Sequence, residues 1–256
     1  MEQKIRWIAI GDSFTYLNDH LDETANKVTR GYLDRVLEKV PGLELFNMGI
    51  NGSTTNDWQM VNIPAADLYT VLLGTNDWYH EVPLGCDEDF TQKKAGTILG
   101  NLGAMLGQIY RRTPQAKVIV MNPVERADFV YVGDAANHAP GRDMPVNGLW
   151  LHEVADAIYR NCLHAGIPCI DLHAECGFTP QNAVKFKRVR TPEGYRNLPW
   201  PEYHRYPFDP ERDEYPYPPE CMDRTYDGLH PSDLGNEIIA KILAEKIREV
   251  LCDQKK

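Results

Sequence analysis

Short apolar runs of strand length alternate with longer segments whose apolar residues recur at helical spacing, and this rhythm limits the chain to few architectures. Residues 4–10 read as a buried strand, and residues 29–40 follow with Tyr32, Leu33, Val36, Leu37 and Val40 at helical intervals. Residues 43–47 and 68–73 are strand-like, 97–111 helical, and 117–121 again strand-like. A helix over 149–164, a strand over 168–172 and an amphipathic helix over 233–251 complete the series. Ser232 or Asp233, just after Pro231, can cap the last helix through a side-chain oxygen. Strands that alternate with helices of this length lie parallel, because each helix returns the chain over the sheet by a right-handed crossover.

The expected fold class is therefore α/β: a three-layer α/β/α sandwich of flavodoxin-like type, with a five-stranded parallel sheet in the order 2-1-3-4-5. Such sheets bind ligands beyond the carboxyl ends of their strands, so functional residues are sought just after each strand. Two stretches break the rhythm, at about 123–148 and 173–226, and the second is crowded with Pro, Tyr and Arg. Connections this long are lids, binding loops or disordered segments. The balanced charge and many aromatics of the second favour an ordered insertion. The reading is one domain over 1–256 with two insertions, since a chain of 256 residues can enclose a core without disulfides.

Composition removes several function classes. A formal net charge of -10 opposes a nucleic-acid partner, which needs a basic surface to displace counterions. Six cysteines lie far apart with no Cys-x-x-Cys pair, against zinc ribbons and thioredoxin-like chemistry and in keeping with free thiols in a reducing compartment. The apolar run Trp7-Ile8-Ala9-Ile10 is shorter than the ~7 to 15 residues of a signal-peptide core, and no stretch is long enough to span a bilayer. A cytoplasmic protein with no membrane partner is expected. Small neutral or cationic substrates and a homo-oligomer stay open.

The run Gly11-Asp12-Ser13-Phe14 follows the first strand directly and puts Ser13 at the carboxyl edge of the sheet. The same run serves equally well as a turn or a helix cap. A serine hydroxyl becomes a nucleophile only when a base takes its proton, and that base needs a third group to hold its tautomer. Among eight histidines, His230 stands out in Asp227-Gly228-Leu229-His230-Pro231. One turn can hold Asp227 against its Nδ1 and leave Nε2 for Ser13, although a loop histidine by itself is ordinarily just solvated. An oxyanion also needs donors. Candidates follow the next two strands: the glycines of Asn47-Met48-Gly49-Ile50-Asn51-Gly52-Ser53-Thr54, and the Asn76 amide in Gly74-Thr75-Asn76-Asp77. A turn at Asn51-Gly52 and a helix cap at Asn76-Asp77 are the plain alternatives. His80, His138, His152, His164, His173 and His204 show no metal-ligand spacing, so no metal and no cofactor is expected.

Gly-Asp-Ser, Gly52 after the second strand, Gly-Thr-Asn-Asp and Asp-Gly-Leu-His-Pro, in that order over nearly the whole chain, together resemble the SGNH hydrolases, or GDSL esterase/lipase family. The resemblance implies a flavodoxin-like fold and ester hydrolysis through an acyl-enzyme. It makes Ser13 the nucleophile and a backbone oxyanion donor, Gly52 a second backbone donor, Asn76 a side-chain donor, and Asp227 and His230 the rest of a triad. Gly52 matches better than Gly49 because it immediately precedes Ser53-Thr54. Phe14 stands where the family's commonest signature has leucine.

The substrate is less constrained. Residues 185–224 bring Tyr195, Trp200, Tyr203, Tyr206, Phe208, Tyr215 and Tyr217 beside Arg188, Arg190, Arg196, Arg205 and Arg212, just ahead of the Asp227 loop. They are placed to roof the site and stack on sugar faces, or to form a satellite core or subunit contact. Trp58 and Trp78 either narrow an acyl pocket or belong to the core. The expectation is an esterase for a small acyl ester, an O-acetylated carbohydrate being one option; an acyltransferase with the same triad and a non-catalytic carbohydrate-binding protein are the alternatives.

Overall fold

A computed structural model describes residues 4–139 and 144–252. Five strands form one parallel sheet: β1 (Ile5–Gly11), β2 (Leu43–Gly49), β3 (Leu68–Leu72), β4 (Lys117–Met121) and β5 (Cys169–Ile170), in the order β2-β1-β3-β4-β5. This is the expected order. The register pairs Gly11 with both Gly49 and Leu72, and Leu72 with Met121, so four strands end at one level. β5 is shorter than the expected 168–172 because the Asp171 carboxylate accepts from Ala174 N and starts a helical turn.

Alternate strand residues feed two cores. Trp7, Ala9, Leu68, Leu72, Ile119 and Met121 face one side, covered by α2 (Tyr32–Lys39) and α6 (Asp233–Cys252). Ile8, Ile10, Tyr69, Val71, Val118 and Val120 face the other, covered by α4 (Ile98–Arg112) and α5 (Leu151–His164). A sheet buried on both faces reads as continuous apolar strands, as these do. Thr70, the buried polar residue of β3, accepts from Trp7 Nε1 at 3.0 Å. Two short helices, α1 (Ser13–Tyr16) and α3 (Thr75–Tyr79), begin almost at the ends of β1 and β3.

Each insertion contains an antiparallel hairpin, Phe129–Tyr131 with Asp134–Ala139 and Lys187–Thr191 with Gly194–Leu198; residues 140–143 of the first lie outside the described ones. The two insertions pack on each other through a satellite core that includes Val130, Val184, Tyr217 and Cys221. Lys187 is buried there, 3.4 Å from Asp128 and above the rings of Tyr203 and Tyr217. Among the described residues, no helix is long and apolar enough to cross a membrane.

Candidate active site

Ser13 opens α1, separated from the end of β1 by Asp12 alone. Asp12 caps that helix by accepting from Phe14 N at 3.0 Å. From the far end of the chain, the turn before α6 brings His230 to it: Nε2 lies 2.9 Å from Ser13 Oγ. On the other side of the ring, Nδ1 lies 2.7 Å from Asp227 Oδ2. The second oxygen of Asp227 accepts from Leu229 N at 3.0 Å and His230 N at 2.7 Å, which locks the carboxylate inside its own turn. Gly228 is essential to that turn. Its φ is +90°, and a Cβ there would stand 1.8 Å from Asp128 O.

Ser13, Gly52, Asn76 and His230 line a single cleft of about 180 Å³, completed by Asn51, Phe129, Tyr131 and Leu229. Gly52 has φ +71° and open space around its Cα. Asn76 Nδ2 donates to Ser53 O at 3.1 Å, which uses one of the two amide hydrogens. Asp227 sits behind His230, fully buried. All five residues singled out in the sequence therefore belong to one assembly. A larger hollow of about 560 Å³ opens beside Phe90, Tyr110 and Ile167, but no serine, cysteine or histidine lines it. The smaller cleft is the candidate active site, because a hydroxyl, an imidazole and a side-chain amide converge there.

Burial shapes the electrostatics. Desolvation pushes the Asp12 carboxyl up to about 7, against the stabilising Phe14 N–H and the nearby His230. Desolvation likewise raises Asp77 to about 6, against its bonds to Thr55. Arg126 is buried with its guanidinium 5.6 Å from the Trp78 ring centroid and 5.5 Å from that of Phe129, and desolvation lowers it to about 10. Among the described residues, no group of three or more His, Cys, Asp or Glu side chains is placed to hold a metal ion.

Several features went unread in the sequence. Phe14, Phe129, Tyr131 and Tyr226 surround the His230 ring. The run of aromatic and β-branched residues Phe129-Val130-Tyr131 signals a short strand, yet nothing local says that it docks on a histidine a hundred residues away. The cleft wall comes from this first insertion, and no residue of 185–224 lines it. Tyr203 and Tyr217 of that second insertion are instead buried, the satellite-core alternative. Trp58 and Trp78 belong to the main core, donating to Ser53 Oγ at 3.2 Å and Leu149 O at 2.7 Å.

The GDSL-like Lipase/Acylhydrolase family matches residues 9–238. The crystal structure of a protein described as a possible lipase from Chitinophaga pinensis is 42% identical, with a TM-score of 0.94, over 96% of this chain and 99% of that one. A carbohydrate esterase family 3 structure from Talaromyces cellulolyticus shares the fold at 17% identity and TM-score 0.51, over 97% and 99% of the two chains. So does the salicylyl-acyltransferase SsfX3 of a tetracycline biosynthetic pathway, at 13% identity and TM-score 0.51, over 98% of this chain and 56% of that one. No curated protein sequence matches the chain. With its family's signature spanning nine-tenths of its length, the chain belongs to the GDSL-like lipase/acylhydrolase family.

Proposed function

We propose that the protein is a serine esterase that hydrolyses a small acyl ester, with Ser13, His230 and Asp227 as its triad. His230 Nε2 takes the Ser13 proton as Oγ attacks the ester carbonyl. The carbonyl oxygen, now an oxyanion, is received by the N–H groups of Ser13 and Gly52 and by the Asn76 amide. His230 then passes its proton to the departing alcohol, and the Ser13 acyl ester is left. His230 next takes a proton from water as the water oxygen attacks the acyl carbonyl, and returns it to Ser13 Oγ as the bond from Oγ to the acyl carbon breaks and the acid leaves. Asp227 holds the imidazole in the tautomer that presents a bare Nε2 and stabilises the imidazolium formed midway.

The observation that carries this reading is the unbroken chain from Ser13 Oγ to His230 to Asp227, with bonds of 2.9 and 2.7 Å, at the rim of a cleft that holds amide donors. Its volume of about 180 Å³ is well below the roughly 300 to 1,000 Å³ of sites for drug-sized ligands, which favours a short acyl group such as acetyl. The ring of Tyr131 at the cleft and the fold shared with a carbohydrate esterase support an O-acetylated sugar as substrate.

Purified protein is expected to cleave p-nitrophenyl acetate faster than longer-chain esters. Ser13→Ala should lower the rate by at least about 10⁴-fold and abolish labelling by a fluorophosphonate probe. Turnover retained in that variant overturns the assignment. Product analysis with an added sugar alcohol separates hydrolysis from acyl transfer.

A further inference from the structure

Next to Asn76 stands a buried carboxylate that the reaction above does not use. Asp77 takes three hydrogen bonds from a single residue: Thr55 N donates to Oδ1 at 2.9 Å and Oδ2 at 3.0 Å, and Thr55 Oγ1 donates to Oδ1 at 2.6 Å. Asn76 meanwhile donates to Ser53 O. Two consecutive residues at the start of α3 thus grip residues 53 and 55, immediately beyond Gly52. Further anchors surround the grip. Asp57 holds Thr54 N and Oγ1 at 2.8 and 2.7 Å, Trp58 Nε1 holds Ser53 Oγ, and Asn101 Nδ2 reaches Thr55 Oγ1 at 3.3 Å.

Electrostatics alone argues against a carboxylate here. Asp77 is fully buried, and the carboxylate of Asp57 opposes its ionisation. Burying an ionised group is costly, and a fixed negative charge near a developing oxyanion opposes the reaction. What the carboxylate offers instead is geometry, because two oxygens can accept from the backbone and side chain of one residue at once. Oxyanion donors act only when held at hydrogen-bond distance from where the charge will form.

We propose that Asp77 is the positioning residue of the oxyanion hole, fixing the Gly52 N–H relative to the Asn76 amide by clamping Thr55. The inference rests on the esterase reading and adds to it a residue that touches neither substrate nor triad. It makes the spacing of the two donors a property of one dipeptide, Asn76-Asp77.

The test compares wild type, Asp77→Ala, Asp77→Asn and Thr55→Val on p-nitrophenyl acetate at pH 8, with active sites counted by fluorophosphonate labelling of Ser13. Asp77→Ala should lower kcat per labelled site about 100-fold, the cost of a misplaced group of this kind, with KM within threefold. Asp77→Asn keeps one acceptor for Thr55 N and should recover about tenfold of that loss, leaving kcat per site about tenfold below wild type. Thr55→Val removes the hydroxyl's bonds to Asp77 and Asn101 but keeps the backbone bonds to Asp77, and should cost more than twofold but less than Asp77→Ala. A purely structural role would lower the number of labelled sites and leave kcat per site unchanged, which overturns the proposal. An Asp77→Asn enzyme faster than wild type also overturns it, since charge rather than geometry would then govern. If Asp77→Ala does not fold, Asp77→Asn and Thr55→Val decide: kcat per site within twofold of wild type in both rejects the clamp. Failure of the esterase reading looks different, because wild type itself would then neither turn over ester nor take the probe, and the clamp's proposed role would fall with it.

Discussion

His230 is enclosed by rings. The centroid of Phe129 lies 5.2 Å away and edge-on, those of Phe14 and Tyr226 at 5.8 Å, and that of Tyr131 at 6.3 Å. Phe129 also walls the cleft, so Phe129→Ala should enlarge it. The ratio of kcat/KM for p-nitrophenyl butyrate over acetate is expected to rise about tenfold or more, since a methylene in an apolar pocket is worth about 1 to 3 kcal/mol. An unchanged ratio would remove Phe129 from acyl selection. Asp12 gives a prediction in pH. Its carboxyl is raised to about 7 by burial, so between 3.8 and 7 the native state holds a proton that the unfolded chain has released. The stability it contributes is complete below 3.8 and is lost as pH rises through about 7. Asp12→Asn retains the acceptor for Phe14 N without the ionisation. Its Tm should exceed that of wild type at pH 8, with the gap closing towards pH 4; a gap constant with pH would contradict the burial argument. At this scale the residues of the proposed triad and the candidate amide donors were legible as residue types at strand ends. The rings and Asp77 were not, because their meaning lies in which distant residue each one touches.

Secondary-structure elements place these residues by where they end. The carboxyl ends of β1, β2 and β3 share one register, so the segments leaving them start side by side. The segment after β4 reaches the Asp227–His230 turn by a backbone bond, Ala127 N to Gly228 O at 2.8 Å, and places Asp128 O where a Cβ on Gly228 would stand. Gly228→Ala would add a clash with Asp128 O to an unfavourable φ. It should destabilise the protein by more than about 2 kcal/mol in urea unfolding and reduce the fraction of Ser13 that reacts with the probe; a loss below about 0.5 kcal/mol would mean the turn relaxes freely. The long elements are legible from their period because each offers enough apolar positions to establish it. α1 and α3, with four and five residues, span barely one turn and show no period. The insertion hairpins escaped for a related reason: Lys187–Thr191 alternates buried Lys187, Val189 and Thr191 with arginines, so two of its three inward residues are polar.

Across the whole molecule, each central strand sends neighbouring side chains to opposite cores, as with Trp7 and Ile8 or Val118 and Ile119. Neither core can be lost while the sheet survives. We therefore propose that the chain unfolds as one unit. Leu243→Ala, in α6 on one face, should cost about 2 to 5 kcal/mol and shift the denaturation midpoint equally for far-UV circular dichroism and for tryptophan fluorescence, to which Trp58 and Trp78 contribute from the other face. Midpoints that separate would show two independent units.

The sequence by itself determined the layering, the strand order and the positions of Ser13, Gly52, Asn76, Asp227 and His230, because periodicity and motif order are local properties that survive in one dimension. Only the tertiary structure decided that the first insertion rather than the second walls the cleft, that both tryptophans near the donors serve the core, and that Asp77 reaches across to Thr55. Those outcomes depend on which segments pack together after the sheet has formed, and packing between segments far apart in the chain leaves no periodic trace in either one.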